Sequence, residues 1–250
     1  MFELTISTSK QKVKDINFII SKLRPCLKQI KGILVCEEID GRVKLALAVH
    51  ESKKDMFLGA IFDIIAEAIV ISYKEEYLQN NISMKNLNEV TNAVFIKALV
   101  MFDKDNEKDI VKNKLTASGE IVIDSFYLFR LWDLEKKWSD LCRVIKDNSS
   151  YLQIEGTLFE MLRFLIMSNN ILFGELHLHK GEKTIYAHGK DGKEVFSVSY
   201  REKDNGSKIG VISELLSLSP EKIIIHNDIV DNELSSYIES LFDGRVRVLK

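Results

Sequence analysis

Proline and glycine are scarce in this chain, 2 and 12 among 250 residues. Linkers and disordered tails draw heavily on such residues, so nearly all of the chain is expected to fold. Cysteine is scarce too. Cys26, Cys36 and Cys142 are odd in number and widely spaced, which fits neither a disulfide framework nor a zinc knuckle and points to reduced thiols. An excess of one charge is missing: 35 Lys+Arg against 37 Asp+Glu leave a formal net charge of −2, so no global positive field holds the chain on nucleic acid or anionic lipid. The most apolar stretch, residues 56–71, is interrupted by Asp63 and Glu67 and falls short of the ~20 residues that span a bilayer, so it reads as a buried helix. Residues 1–7 alternate and lead into a charged segment, unlike a signal peptide, which sets the expectation of a cytoplasmic protein without a transmembrane segment. Phosphate-loop, nucleophile-elbow, dinucleotide and HExxH motifs are all lacking.

What is there is periodic. Phe2, Leu4 and Ile6 alternate with polar residues as in a half-buried strand, and Val13, Ile16, Ile20, Leu23, Leu27 and Ile30 then form a helical stripe that Pro25 is expected to kink or divide. Asp40-Gly41 between two apolar runs marks a hairpin with a tight primed turn. Ser52 and Asp55 suggest a capping box for the apolar helix, on which Asp63 and Glu67 share a face expected to be solvated. A second helix is read at residues 88–102, a charged helix or connection at 103–114, and a boundary at 115–119. Beyond it come a short strand at 120–123 and helices carrying Leu128 to Ile145 and residues 155–168.

Residues 171–200 read as a three-stranded meander. A two-residue turn at Gly181-Glu182 sets Leu178 opposite Ile185 and Leu176 opposite Ala187; a turn at Asp191-Gly192 sets Ala187 opposite Phe196 and Ile185 opposite Val198. The apolar residues then share one face. The other carries Glu175, His177, His179, Tyr186 and His188, with Glu175 opposite His188 and His188 diagonal to His177. Three imidazoles and a carboxylate so placed are candidate metal ligands or acid-base groups, although the outer face of a meander is also an ordinary wet surface. A helix stopped by Pro220, a buried strand at 222–226, a helix ended by Gly244 and a final alternating strand follow; that strand is expected to lie parallel to its predecessor. His226, Asn227 and Asp228 leave the central strand where open α/β sheets hold ligands, and serve equally well as turn and cap residues.

The expected architecture is mixed α/β (α+β): an N-terminal β-α-β-β unit, a central helical segment, and a C-terminal three-stranded meander followed by α-β-α-β. Two regions are expected, 1–118 and 119–250.

Phe126-Tyr-Leu-Phe-Arg-Leu131, Met161-Leu-Arg-Phe164, Leu215-Leu-Ser-Leu-Ser-Pro-Glu-Lys-Ile-Ile-Ile-His226 and Phe242-Asp-Gly-Arg-Val246 resemble, in order and spacing, the YtxC-like family of sporulation-associated proteins. The resemblance is specific from about Gly119 onward. It implies a cytosolic protein of an endospore-forming Firmicute, with protein partners in sporulating cells, and implies no particular reaction or cofactor. Arg130, inside the first motif, is a candidate anchor for a carboxylate or phosphate, or else a structural ion-pair partner. The functional expectation is a non-catalytic accessory or binding protein. The alternative is a hydrolase or phosphoesterase, with or without a metal, using the histidine face. Nucleic-acid binding would need a basic cluster, for which only Lys10, Lys12 and Lys14, or Arg245 and Arg247, offer material.

Overall fold

The computed structural model describes residues 1–84, 87–117, 119–226 and 232–249. The chain divides into two compact units, Met1–Asn81 with Lys104–Arg143 and Ile82–Asp103 with Val144–Lys250. The units interleave in sequence, so the expected division after residue 118 falls inside the first of them. The cause is a strand: β4 (Glu120–Val122) pairs in parallel with β1 (Phe2–Ser9), tying the segment after residue 119 back to the N-terminus.

The first unit opens with the expected β-α-β-β. The strands β1, β2 (Ile33–Ile39) and β3 (Arg42–Val49) join β4 in a sheet of order β2-β3-β1-β4. Asp40 and Gly41 take φ of 51° and 73°, the positive values that a primed hairpin turn requires. Between β1 and β2, α1 (Val13–Ile30) buries Ile16, Ile19, Leu23, Leu27 and Ile30 on the sheet. Pro25 does not divide it. The ring and Ser21, whose carbonyl loses its partner, both lie on the exposed face, so the lost bond costs less than it would in the core.

The apolar stretch runs further than its composition suggests. Helices α2 (Lys54–Ala68) and α3 (Lys74–Asn81) are fused by a π-helical turn at Ile69–Tyr73. Counted from Glu51, the run is 31 residues, long and apolar enough to cross a membrane by length and composition alone. Phe57, Ile61, Ile65, Ile69 and Val70 are fully buried in this unit's own core, and 44% of the most apolar window is buried inside the structure. The expected capping box is replaced: His50, not Ser52, supplies the side chain, its Nδ1 accepting from the Ser52 N–H at 3.3 Å. The face expected to be solvated is also in use. Asp63 meets Lys108 at 3.0 Å and Lys112 at 3.3 Å from α5 (Lys104–Lys114). The single helix expected through Leu128 to Ile145 begins earlier and is broken at Leu131, giving α6 (Ile123–Arg130) and α7 (Trp132–Asp147).

In the second unit, β5 (Phe173–Lys180), β6 (Thr184–Gly189) and β7 (Glu194–Ser199) form the expected meander, joined by β8 (Pro220–Ile225) and β9 (Val246–Val248) in the order β7-β6-β5-β8-β9. β8 is parallel to both β5 and β9. The helices of this unit are α4 (Glu89–Met101), α8 (Ser149–Leu152), α9 (Glu155–Met167), α10 (Asn205–Leu218) and α11 (Asn232–Leu241). Asp204 caps α10, accepting from the Gly206 N–H at 3.1 Å. Ser219 ends it in the left-handed region, with φ of 40°, and Pro220 begins the next strand.

Candidate functional site

Pleat parity builds the site. Leu176 and Leu178 on β5, Ile185 and Ala187 on β6, and Ile223 and Ile225 on β8 are all buried on one face of the sheet. A slip of one residue would expose the five large side chains among them, each worth roughly 1.5–3 kcal/mol when buried, and would bury imidazoles instead. That penalty, of order 10 kcal/mol, fixes which face the alternate residues take. On the opposite face stand Glu175, His177 and His179 of β5, Thr184, Tyr186 and His188 of β6, and Lys222, Ile224 and His226 of β8 and its extension. The Leu178 carbonyl accepts from the His226 N–H at 3.1 Å, so the ladder continues to that residue.

The expected faces are correct and the expected β5–β6 register is not. Leu178 pairs with Ala187 and Leu176 with Gly189, a shift of two residues. The turn sits one residue later than expected, at Glu182-Lys183, closing with Gly181 N–H donating to the Thr184 carbonyl at 2.8 Å. A two-residue shift preserves the faces but changes the partners: His188 lies directly opposite His177, and Glu175 pairs instead with Lys222 of β8. The β6–β7 register is as expected at Ala187–Phe196 and Ile185–Val198, with an irregularity between Ala187 and His188. Bulges of this kind re-aim side chains.

Four imidazoles therefore meet. His177 Nδ1 is 3.0 Å from His226 Nε2, and His179 Nε2 is 2.9 Å from His188 Nε2. The rings pile on one another: His177 on His188 at 5.0 Å between centroids and 7° between planes, His179 on His226 at 3.9 Å and 21°, and His179 against Tyr186 at 5.4 Å. Their partners fix the tautomers of the neutral rings. His177 Nε2 lies 3.2 Å from Glu175 Oε1 and can only donate to that carboxylate, which leaves Nδ1 with a lone pair to accept from His226. His188 Nδ1 lies 2.8 Å from the Gly189 carbonyl and donates to it, which leaves Nε2 to accept from His179. Glu175 is in turn held by Lys222 Nζ at 3.1 Å, and hydrogen bonds from Lys222 and His177 keep its carboxyl below the usual range.

The structure thus brings together Glu175, His177, His179 and His188 and adds His226, which sequence reasoning had placed apart as a strand-end candidate. The missing signal was strand neighbourhood: only β8 lying parallel beside β5 carries His226 to His177, 49 residues away in the chain. Asn227 and Asp228 lie outside the described residues. Arg130 belongs to the other unit, at the exposed end of α6, where its carbonyl accepts from Lys114 Nζ at 3.0 Å. Among the described residues no group of three or more His, Cys, Asp or Glu side chains is placed to hold a metal ion. The stacking explains this, because parallel rings direct their in-plane lone pairs into separate pairs.

Two polar centres in the first unit were not anticipated. Lys74 and Glu107 form a buried ion pair at 2.9 Å, and Trp138 Nε1 donates to the same carboxylate at 3.0 Å. Asp124 accepts from Thr8, from the Ser9 N–H at 3.1 Å and from Arg42 at 2.9 Å. Burial raises its carboxyl, but these donors outweigh burial and leave it lowered. Three of the five modest basic candidates are engaged internally, Lys10 with Glu38, Lys12 with Glu76 and buried Arg245 with the Pro220 carbonyl, while Lys14 and Arg247 are exposed. No family model, curated protein or solved structure matches the chain.

Proposed function

We propose that this chain is a non-catalytic binding protein whose working surface is the histidine face of β5, β6 and β8. The observation that carries the reading is the arrival of His226 on His177 and His179, so that four of the chain's 5 histidines share one surface with an anionic Glu175. A wet outer face needs no such concentration of one residue type, and the apolar layer beneath it demands only that these positions be polar.

The chemistry favours binding over turnover. General acid–base catalysis needs two groups whose environments push their protonation in opposite directions around neutral pH. Here Glu175 is held ionised by Lys222 and His177, so it does not serve as a proton donor. The imidazoles are hydrogen-bonded to one another within the face. The resemblance to the sporulation-associated family supports a cytoplasmic role in sporulating cells with a protein partner. The internal pairing of Lys10, Lys12 and Arg245 leaves only Lys14 and Arg247 of the candidate basic residues exposed, which argues against nucleic acid.

The test is recovery of partners from sporulating cells with tagged wild-type chain and with a His177→Ala/His226→Ala variant. A defined partner recovered by the wild type and lost with the variant is expected. Equal recovery by both forms overturns the histidine face as the binding surface.

A further inference from the structure

The second unit holds a cavity that shares no residue with the histidine face. Helix α10 leads straight into β8 and α11 follows that strand, so both helices begin at its carboxyl end, the side on which open α/β sheets place ligands. The start of α4 completes the wall: Asn88 and Val90 line the cavity together with Asn205 and Lys208 of α10 and Glu233 of α11. Its volume is about 260 Å³. That lies between the ~150 Å³ that admits benzene and the ~300 Å³ at which sites for drug-sized ligands begin.

Lys208 gives the cavity its chemistry. Its side chain is only 9% exposed, and it sits at the beginning of α10, the end of a helix that disfavours a cation. An ammonium kept out of water there requires an anion. The one it meets among the described residues is Glu233, at 2.6 Å, and that side chain is 81% exposed. The pair is one-sided: the cation is sealed into the wall, while its partner reaches in from solvent, so another carboxylate can take the partner's place with little loss of packing. Asn88 accepts from the Thr91 N–H at 2.8 Å through its side-chain oxygen, which leaves its amide N–H groups without a partner among the described residues. Asn205 and Tyr237 are already engaged, donating to Glu89 at 3.0 Å and to Thr91 Oγ1 at 3.2 Å. The rest of the wall is apolar, with Ile212 and Leu234 fully buried and Val90 and the Tyr237 ring half-buried.

We propose that this cavity is a second binding site, for a small monocarboxylic acid whose carboxylate replaces Glu233 on Lys208 and whose apolar body lies along Val90, Ile212 and Leu234. A phosphate ester fits less well. One buried ammonium balances one charge, no arginine fork lines the cavity among the described residues, and Glu89, Asp204 and Glu233 at the three helix starts oppose a dianion.

Sodium benzoate titrated into the full chain, followed through amide NMR shifts, tests this, with hexanoate as a second probe and benzamide and inorganic phosphate as controls. Both carboxylates are expected to shift the amides at the starts of α4, α10 and α11, saturating at about millimolar concentration or below. Glu233→Gln should tighten benzoate binding about two- to fivefold, because the native competitor for Lys208 is gone. Lys208→Met should weaken it about tenfold or more. If Lys208→Met does not fold, Glu233→Gln decides alone, since its side chain is largely in solvent. No saturable shift at these helix starts in the wild-type or Glu233→Gln chain overturns the proposal. So does a Glu233→Gln chain that binds benzoate no more tightly than the wild type, or benzamide or phosphate bound as tightly as benzoate.

Discussion

Replacing Glu107 with glutamine should destabilise the first unit far more than an ordinary surface change. Glu107 and Lys74 are buried together, with 4% and 1% of their side chains exposed and 2.9 Å between charged atoms. At an effective dielectric near 20 that separation corresponds to an attraction of about 6 kcal/mol, set against desolvation of both ions. Removing one charge leaves the other buried without its counter-ion, a loss of about 3–5 kcal/mol. The glutamine oxygen still accepts from Trp138 Nε1, so the indole bond is not part of the loss. At roughly 2–4 °C per kcal/mol, Glu107→Gln should lower the midpoint of thermal unfolding by about 6–20 °C. Lys74→Met alone should act similarly. The double variant should recover most of the loss, because a buried ion pair replaced as a unit is close to neutral. The assay is scanning calorimetry or urea unfolding of all four forms as a double-mutant cycle. Single variants that each cost under about 1 kcal/mol, or a double variant equal to the sum of the singles, would refute the reasoning.

Further expectations follow from the first unit. Asp15 is almost fully buried, one of its carboxylate oxygens has no hydrogen-bond partner, and burial raises its carboxyl above 3.8. The charged form is thus penalised in the folded state above that range, and Asp15→Asn should stabilise the chain at neutral pH, by about 1 kcal/mol, and lose that advantage near pH 3.8 and below, as chemical unfolding at the two pH values would show. Asp63 behaves oppositely: burial raises its carboxyl, Lys108 and Lys112 outweigh burial, and the net effect is a lowering from 3.8. Its pairing therefore contributes fully above that pH and is lost as pH falls below it, and an Asp63→Asn variant should show a shallower acid limb in a stability–pH profile. Pro25→Ala should stabilise an undivided α1 by about 1–3 kcal/mol in urea unfolding, whereas a helix interrupted at that position would show no gain.

The sequence made the elements legible wherever a local period governed them. The β1, hairpin, meander and β8 patterns declare themselves because each strand alternates or runs apolar against a core. Pro25 and Ser52 misled for the same reason: both were weighed by intrinsic preference, while packing decided. Five buried apolar side chains hold α1 together across the proline, and His50, two positions before Ser52, provides the cap. The face of the site was legible from parity, which a two-residue change of register leaves intact. The partners were not legible, since Glu175–Lys222 and His177–His226 depend on which strand lies beside β5. Charge pairs between helices were invisible on the same grounds: the acids of α2 look solvated until α5 supplies Lys108 and Lys112.

Nuclear Overhauser spectroscopy on imidazole ring protons, with each histidine assigned by single substitution, probes the shared surface most directly. Cross-peaks linking His226 to both His177 and His179, and His188 to both as well, are the predicted result, since these ring centroids lie 3.9 to 5.3 Å apart. A His226 ring with no contact to His177 or His179 would contradict it.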